Sequence, residues 1–413
     1  MNTYWWYKPY VLAPTVTLPF LGVGALLPTE WYTTAGTQKY LDLETFTIGF
    51  VALFCYSLAA WFSARSYSSS PRRHLEPHLQ VNEHTYRKVM HLVLFVTTAA
   101  YLIWFGPLLN RPELVLSLLK GEQGAIYALK EYAEKTPGIT SFTNLGPLYG
   151  VLYALYPTAT GYERRPGDRL FFLGFMFLAV LRVLFSSERV ALLEVVIPFA
   201  VIMLGTTYRH RIFINSLPFT AIGALSLLFG VSEYFRSWVN FYMYRYDSFW
   251  DFIFNRMFEY YVTALNNGAG MGKIVGPLFL PYFTASWFWK FPINIHSEGM
   301  PGLFRVDRLI YDGFLYTYAD PEMNNPSGLF SPINDFGVFF GVVLWTAFGW
   351  IAGRLYHSFQ YNSIYGLLFY PTCVVAIIEI PRLFYFGLSK TFPLLITTAM
   401  VCWFFRSATR RVG

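Results

Sequence analysis

Long apolar runs constrain this chain more than any other feature of its sequence. Ten such runs, each close to the roughly 20 residues that a helix needs to cross a bilayer, alternate with polar segments. Because backbone polar groups inside lipid must be satisfied within their own segment, runs of this kind fold as helices. We therefore predict an all-α, polytopic transmembrane protein of about ten spans. The predicted spans cover about 10–28, 45–64, 88–109, 140–160, 170–186, 189–206, 213–230, 335–353, 363–380 and 384–404.

The composition agrees with helices in lipid. Hydrophobic residues make up 55% of the chain and charged residues only 13%, whereas soluble domains carry about 25% charged residues. Aromatic residues reach 20%, and Tyr and Trp favour the membrane–water interfaces. The formal net charge is +7. The basic residues lie in short segments between apolar runs, which is typical of topology signals and argues against nucleic-acid binding.

The distribution of charge predicts the orientation of the spans. With the amino terminus in the cytoplasm, the cytoplasmic segments hold 15 of the 31 basic residues but only 4 of the 24 acidic ones. Cytoplasmic loops of membrane proteins carry such an excess of Lys and Arg. We therefore predict that both termini are cytoplasmic. The chain then divides into helices one to seven (1–230), a large extracytoplasmic loop (231–335), and helices eight to ten with the carboxyl terminus (336–413).

The 231–335 segment is too long to be a simple connection. Residues 241–262 mix aromatic and charged side chains at near-helical spacing, which predicts helices in the membrane interface. Residues 276–292 contain three prolines and predict a broken segment. Residues 268–273 (GAGMGK) lack the spacing of a phosphate-binding loop and are predicted to form a flexible loop.

No pattern in the sequence predicts a metal or a cofactor. The three cysteines lie inside apolar runs, and no spacing of His, Cys or Asp is typical of a metal site. The aspartates Asp247 and Asp251 are four residues apart with aromatic residues between them, which is more typical of a helix face. We therefore expect neither a metal nor a cofactor.

Charged residues near the extracytoplasmic ends of the predicted spans are the strongest functional candidates. They are Arg182, Arg189, Glu194, Glu379 and Arg382. A charge in a membrane segment usually faces the protein interior and serves a function. The alternative for each is pairing with a neighbour or extension to the headgroups. The guanidinium group donates two parallel hydrogen bonds and stays charged in a low dielectric, so this cluster favours a lipid-linked diphosphate.

Two more arginines and a base complete the candidates. Arg305 and Arg308 in the large loop either join the diphosphate site or are ordinary loop charges. Of the seven histidines, only His296 is predicted on the extracytoplasmic side, where it could accept a proton near neutral pH. The alternative for His296 is a solvated loop residue. The carboxylates Glu379 and Asp335 compete with it for the role of base, as do Glu298 and Asp312.

Two segments resemble a known family of membrane enzymes. Residues 186–199 (SSERVALLEVVIPF) form a short turn from which an arginine enters a Leu-rich helix. Residues 324–356 (NNPSGLFSPINDFGVFFGVVLWTAFGWIAGRLY) form a Pro/Ser-Gly turn, a DFG-x-x-G pattern and a Gly-punctuated helix. Together with the topology, these segments resemble the bacterial O-antigen and oligosaccharide repeat-unit polymerases. The resemblance implies a fold like that of the C-type glycosyltransferases.

The resemblance also implies an activity and partners. The chain is expected in the bacterial inner membrane, with its large loop in the periplasm. There it would transfer a growing glycan from undecaprenyl diphosphate to a new lipid-linked repeat unit, with inversion, in polysaccharide or lipopolysaccharide biosynthesis. The arginines would hold the leaving diphosphate, and His296 or a carboxylate would deprotonate the acceptor. The expected partners are the lipid-linked oligosaccharide, membrane lipid and, as a further possibility, a chain-length regulator protein.

Two other functions stay open at the level of sequence. A ligase would pass the finished glycan from the same carrier to a lipid or protein acceptor, so it would share the diphosphate site. A transporter or flippase of lipid-linked sugars would normally show a repeat and broken helices at the midplane. We find neither feature in the sequence, and the charged candidates lie at one face.

Overall fold

The protein is helical throughout the part of the chain that the structure describes. This computed structural model describes residues 4–65, 81–133, 135–136, 138–186, 188–207, 211–289 and 309–409, and no β-strand occurs among them. The predicted all-α architecture is therefore confirmed. The α-helices of these residues are α1 (Pro9–Leu26), α2 (Thr29–Thr34), α3 (Leu43–Arg65), α4 (Glu83–Phe105), α5 (Pro112–Leu119), α6 (Ala125–Tyr132), α7 (Gly146–Thr160), α8 (Pro166–Ser186), α9 (Arg189–Thr207), α10 (Arg211–Glu233), α11 (Phe249–Ile274), α12 (Ser286–Trp289), α13 (Leu309–Tyr318), α14 (Ser331–Gln360), α15 (Ile364–Ile378) and α16 (Phe392–Thr409).

Several of these helices have the length and composition of membrane spans. Among the described residues, six stretches are long and apolar enough to cross a bilayer. They lie on α1, α3, α4 with the turn that follows it, α8, α10 and α14. These helices indicate a membrane protein. The other four predicted spans fall on α7, α9, α15 and α16, of which α9 and α15 contribute shorter apolar stretches. Crossing by all ten stays a prediction.

The helix α7 lies inside the bundle, whereas α8 and α14 lie at its surface. Twelve of the fifteen residues of α7 are buried, and α7 packs against α4, α9, α15 and α16. In contrast, α8 and α14 expose large apolar side chains, including Leu173, Phe177, Phe339 and Phe340. Interior helices need small and polar residues to pack against protein. This explains why the 140–160 run, with its glycines and tyrosines, is only weakly apolar.

Glycines bring α3 and α14 into direct backbone contact. A Cβ atom on Gly349 would overlap the carbonyl oxygen of Tyr56, and one on Gly353 would overlap Ala60 and Ser63. The hydroxyl of Ser63 also donates a hydrogen bond of 2.8 Å to the carbonyl of Trp350. Small residues four apart on a membrane helix permit this close approach. The Gly-punctuated segment of the sequence thus forms the α14 side of this contact, which we call the α3–α14 seam. The seam joins the amino-terminal helices to the carboxyl-terminal ones.

The segment predicted as a flexible GAGMGK loop is helical and buried, so that prediction was wrong. Residues 268–273 belong to α11. A Cβ on Gly268 would lie 2.6 Å from the Cβ of Ser327, and one on Gly270 would overlap the ring of Tyr40. The small residues serve close packing here. Asn266 completes the attachment, because its side chain accepts hydrogen bonds from the backbone N–H groups of Tyr40 and Leu41.

One end of the bundle collects the large loop and the linkers, and we call it the loop end. It is defined by the helix termini Leu26, Leu43, Ser186, Arg189, Ser331 and Ile378. At this end, the buried Ser327–Phe330 turn is attached to the segment that follows α15. The N–H of Leu329 donates a hydrogen bond of 2.9 Å to the carbonyl of Ile380. Gly337 has φ of +80°, which breaks the helical geometry of α14 nearly two turns into the helix.

The tenth helix begins later than the sequence predicts. α16 starts at Phe392, and the 379–391 linker forms turns and two short 3₁₀ helices, Tyr385–Gly387 and Ser389–Thr391, instead of α-helix. A Cβ on Gly387 would lie 2.5 Å from the carbonyl oxygen of Phe283, so the linker runs tightly against the large loop. Pro393 then occupies the first turn of α16, where proline is favoured. Lys390 therefore lies in the linker and not in a span.

We expect the α3–α14 seam to control stability. Gly353→Leu should destabilise the protein by about 1 to 3 kcal/mol or prevent its accumulation, because the added side chain forces the two backbones apart. Gly174→Leu on α8 is the matched control, since no described atom lies within 4 Å of its added Cβ. Thermal unfolding of both variants in detergent measures the effect. Equal melting temperatures for the two variants would contradict this description of the seam.

Candidate functional site

Charged side chains from four parts of the chain, four of them buried, meet at the loop end. We call this group the loop-end charge network. It comprises Lys135, Arg182, Glu188, Glu194, Glu379, Arg382 and Lys390, with Tyr385 between its two halves. The carboxyl end of α8, the start of α9, the 379–391 linker and the segment before α7 supply it. Four of the charges predicted from sequence, Arg182, Glu194, Glu379 and Arg382, are therefore brought together.

Arg182 is held from several directions. Its side chain is 4% exposed. Its Nη2 donates to Glu188 Oε2 at 2.5 Å and its Nη1 donates to Thr143 Oγ1 at 3.1 Å. Asn144 Oδ1 accepts at 3.3 Å, and the guanidinium carbon lies 5.5 Å from the centre of the Trp104 ring. These contacts fix the arginine rigidly, because most of its donors have acceptors in place.

Two lysines continue the network from Arg182 toward α16. Lys135 pairs with Glu188, and Lys390 Nζ donates to Glu194 Oε1 at 2.7 Å. Glu194 is 2% exposed, whereas Lys390 is 33% exposed. Burial alone would raise the pKa of the Glu188 carboxyl, but Arg182, Lys135 and Lys390 hold that pKa well below its usual range. Glu188 is therefore ionised at neutral pH.

Arg382 forms the second half of the network and keeps one donor free. Its Nη1 donates to Glu379 Oε2 at 3.0 Å, and its Nη2 donates to the hydroxyl of Tyr260 at 3.2 Å. The guanidinium carbon lies 4.5 Å from the centre of the Tyr260 ring and 6.0 Å from that of Tyr261. Its Nε is buried and has no hydrogen-bond partner among the described residues. A buried donor without an acceptor is costly unless a ligand supplies one.

Tyr385 connects the two halves. Its side chain is buried and interacts electrostatically with Glu194 and Glu379, one carboxylate from each half, and with Arg182. Burial is the largest cause that raises the pKa of the Tyr385 hydroxyl, and the two carboxylates raise it further. The phenol is therefore neutral and remains a hydrogen-bond donor at physiological pH.

The electrostatics of the network favour an anion. Four cationic and three anionic side chains give it one net positive charge. Two of the cations, Arg182 and Arg382, are buried, and burial weakens the competition from water. Burial alone would lower the pKa of Arg382, but Glu379, Tyr260 and Tyr261 keep that pKa above its usual value. A permanently charged guanidinium with a free Nε is suited to a phosphate oxygen.

Asp335 has no ion pair with the loop-end charge network among the described contacts and instead accepts hydrogen bonds from the large loop. Its carboxylate accepts from the backbone N–H of Phe283 at 3.0 Å and of Thr284 at 2.7 Å, and from the Thr284 hydroxyl at 2.7 Å. It is 0% exposed. This arrangement ties the broken 276–285 segment to the first turn of α14. A general base needs a free lone pair that faces the substrate, so these contacts favour an anchoring role.

Several predicted site residues lie outside the described residues. They are His296, Arg305 and Arg308. The backbone of Arg189 begins α9, but its side chain also lies outside the described part. Their predicted roles as base and as diphosphate ligands stay predictions. In the described part of the chain, no group of three or more His, Cys, Asp and Glu side chains could hold a metal ion.

Sequence reasoning missed several members of the site. Lys390 was missed because the apolar pattern placed it inside the predicted tenth span. Lys135 lies in a polar segment that resembles an ordinary connection. No sequence feature distinguishes Tyr260 and Tyr385 from the other tyrosines, because the chain contains 31 of them. A basic residue followed by Thr-Phe-Pro, the start of a helix, is the feature that could have identified Lys390.

A second buried charge cluster lies in the large loop and was also missed. Arg256 on α11 pairs with Glu322, and its Nε lies 3.8 Å from Glu233 Oε2. Tyr242 donates a hydrogen bond of 2.8 Å to Glu322. The cluster joins the end of α10, the π-helix Tyr234–Tyr242, α11 and the turn after α13. These ion pairs hold the loop in place above the bundle.

Comparisons with known proteins add no further assignment. No protein-family model, no curated protein and no solved structure matches the chain. The functional inference therefore depends on the residues and contacts of this chain.

We expect Glu188 to stabilise the site in a pH-dependent way. Glu188→Gln should lower the stability at pH 7 by on the order of 2 kcal/mol, because it leaves Arg182 buried without its carboxylate. Since the pKa of Glu188 is depressed, the wild-type advantage is complete above the ordinary carboxyl value of 4.5 and shrinks as the pH falls below it. Melting temperatures of both proteins between pH 7 and pH 3 measure the difference.

Glu113→Gln is the matched control for this experiment. Glu113 pairs with Arg111 at 3.4 Å, but both side chains are more than half exposed. Exposed pairs contribute little, so this variant should melt close to the wild type at every pH. A Glu188→Gln variant that behaves in the same way would show that the Arg182–Glu188 pair is not needed for the fold.

Proposed function

We propose that the chain is a bacterial inner-membrane glycosyltransferase that polymerises lipid-linked oligosaccharide repeat units. In this proposal all ten predicted helices cross the membrane, and the loop end faces the periplasm. The observation that carries the proposal is Arg382, a buried and permanently charged guanidinium that belongs to the loop-end charge network and whose Nε has no hydrogen-bond partner among the described residues. Such a group fits the diphosphate of a lipid carrier at headgroup depth.

The chemistry assigns a task to each part of the network. The acceptor hydroxyl attacks the anomeric carbon of the growing glycan, a new glycosidic C–O bond forms, and the C–O bond to undecaprenyl diphosphate breaks. The electron pair leaves with the diphosphate, whose added charge Arg382, Lys390 and Arg182 stabilise. The neutral phenol of Tyr385 donates a hydrogen bond to the same group. Attack from the face opposite the leaving group inverts the anomeric configuration.

The proton of the acceptor needs a base on the periplasmic side. Glu379 is the carboxylate closest to the diphosphate site, at 3.0 Å from Arg382. A carboxylate in this position can accept the proton of the acceptor hydroxyl. His296 remains the alternative base, because imidazole titrates near neutral pH. Asp335 is assigned to the anchor of the loop.

The carboxylates compensate the positive charges of the site. Glu379 pairs with Arg382, and Glu194 pairs with Lys390. An incoming diphosphate offers two or more oxygens to the same donors and can share or replace these pairs. The network thus needs little rearrangement of its backbone to bind the substrate, which is the preorganisation that transition-state stabilisation requires.

We expect both Arg382→Ala and Arg382→Lys to abolish polymerisation. Lysine keeps the charge that neutralises Glu379, but it lacks the planar fork and the Nε donor. Surface glycan from a host that lacks its own copy of the gene, separated on a gel, should collapse from a ladder to single repeat units in both variants. We expect chains longer than one unit to fall at least tenfold.

Arg87→Ala is the control for these variants. Arg87 donates to the buried Asp168 at 3.1 Å at the opposite end of the bundle, so the change removes a comparable pair away from the site. Membrane insertion of every variant is checked by immunoblot. A normal ladder with inserted Arg382→Ala protein would contradict the proposal. Long lipid-linked chains that fail to reach the surface acceptor would indicate the ligase instead.

A further inference from the structure

An apolar cavity is bordered by Leu383, the residue that follows Arg382 in the linker. It has a volume of about 260 Å³ and is enclosed by α14, α15, α16 and the 379–391 linker, with Tyr56 of α3 at its base. None of the described residues that line it carries a charge. Ile351, one of the lining residues, is 52% exposed, so the cavity opens on the outer surface of the bundle.

The cavity and the charge network share a wall. Ile380, Leu383 and Tyr385 line the cavity, and they lie in the same seven-residue stretch of the chain as Glu379 and Arg382. Tyr385 also interacts with the carboxylates of both halves of the network. One short stretch of chain thus borders both an apolar cavity and the charged site.

The cavity extends deep into the bundle from this point. Its lining on α14 runs from Trp345 to Leu355, which spans about 15 Å at 1.5 Å per residue. That distance is roughly half of the hydrocarbon core of a bilayer. The lining mixes aromatic rings with branched aliphatic side chains, such as Phe348, Phe369 and Ile377. Gaps between such groups accept a chain with regular methyl branches.

We propose that this cavity binds the isoprenoid chain of the lipid-linked substrate, whose diphosphate lies at Arg382. The inference rests on the proposed function and adds the path of the lipid to it. The carrier enters sideways from the bilayer past Ile351, and its first isoprene units lie between α14, α15 and α16. Binding of the tail then places the diphosphate against the free Nε of Arg382.

The test compares a tailed and a tailless diphosphate on the purified full-length protein in nanodiscs. Geranylgeranyl diphosphate probes the cavity together with the head site, and inorganic pyrophosphate probes the head site alone. Ala376→Trp and Leu395→Trp fill the cavity from α15 and α16, and both positions are only partly buried. Ile396→Trp is the matched control, because Ile396 neighbours Leu395 but is 47% exposed outside the cavity.

We expect both cavity variants to weaken geranylgeranyl diphosphate binding at least tenfold and to leave pyrophosphate binding unchanged. The Ile396→Trp variant should match the wild type with both probes. Melting curves identify a variant that has lost its fold. Because the two cavity variants lie on different helices, one can still be tested if the other does not fold.

Three results would overturn the inference, and each is distinct. In the first, folded cavity variants bind geranylgeranyl diphosphate as tightly as the wild type and still bind pyrophosphate. This result would support the head site but would show that the cavity does not bind the isoprenoid chain. Equal competition by phosphatidylglycerol would show that the cavity holds ordinary membrane lipid. A wild-type protein that binds neither diphosphate would mean that the proposed function itself has failed.

Discussion

The pairing of buried arginines with carboxylates at one end of a helix bundle is the interaction on which the rest of this structure depends. An arginine such as Arg182 or Arg382 cannot be buried without acceptors, because an uncompensated charge in the interior is strongly destabilising. The chain supplies Glu188 and Glu379 within six residues of these arginines. The turn between α8 and α9 and the linker before α16 are therefore shaped by the charges they carry.

The surrounding fold fixes the helices, the large loop and the linker at this end of the bundle relative to one another. The glycine seam fixes α14 against α3, and the small residues of α11 seat the large loop on the same end. Asp335 and Gly387 then hold the 276–285 segment against the linker that carries Arg382 and Lys390. Each of these contacts is a close backbone approach or a buried hydrogen bond, and such contacts tolerate little displacement. A site built on them is rigid before any ligand arrives.

Much of this organisation could be predicted from the sequence, for a physical reason. Lipid permits few charges, so Arg182, Glu194, Glu379 and Arg382 stood out as soon as the apolar runs were recognised. The contrast between apolar and charged residues gave wrong predictions where the composition of a segment is ambiguous. The glycines of 268–273 have the composition of a flexible loop, yet they serve close packing within a helix. Lys390 fell inside an apolar run that the structure divides into a linker and a helix. The contacts of Tyr260 and Tyr385 depend on tertiary structure, which no local pattern encodes.

The proposed function is transfer of a glycan from a lipid diphosphate at the loop end. It can be tested by incubating the purified protein with one synthetic undecaprenyl-diphosphate-linked repeat unit and following both products by mass spectrometry. We expect chains of two or more units and one molecule of undecaprenyl diphosphate released for each bond formed. If folded protein binds the lipid but forms no longer chain and releases no undecaprenyl diphosphate, the proposed function is contradicted.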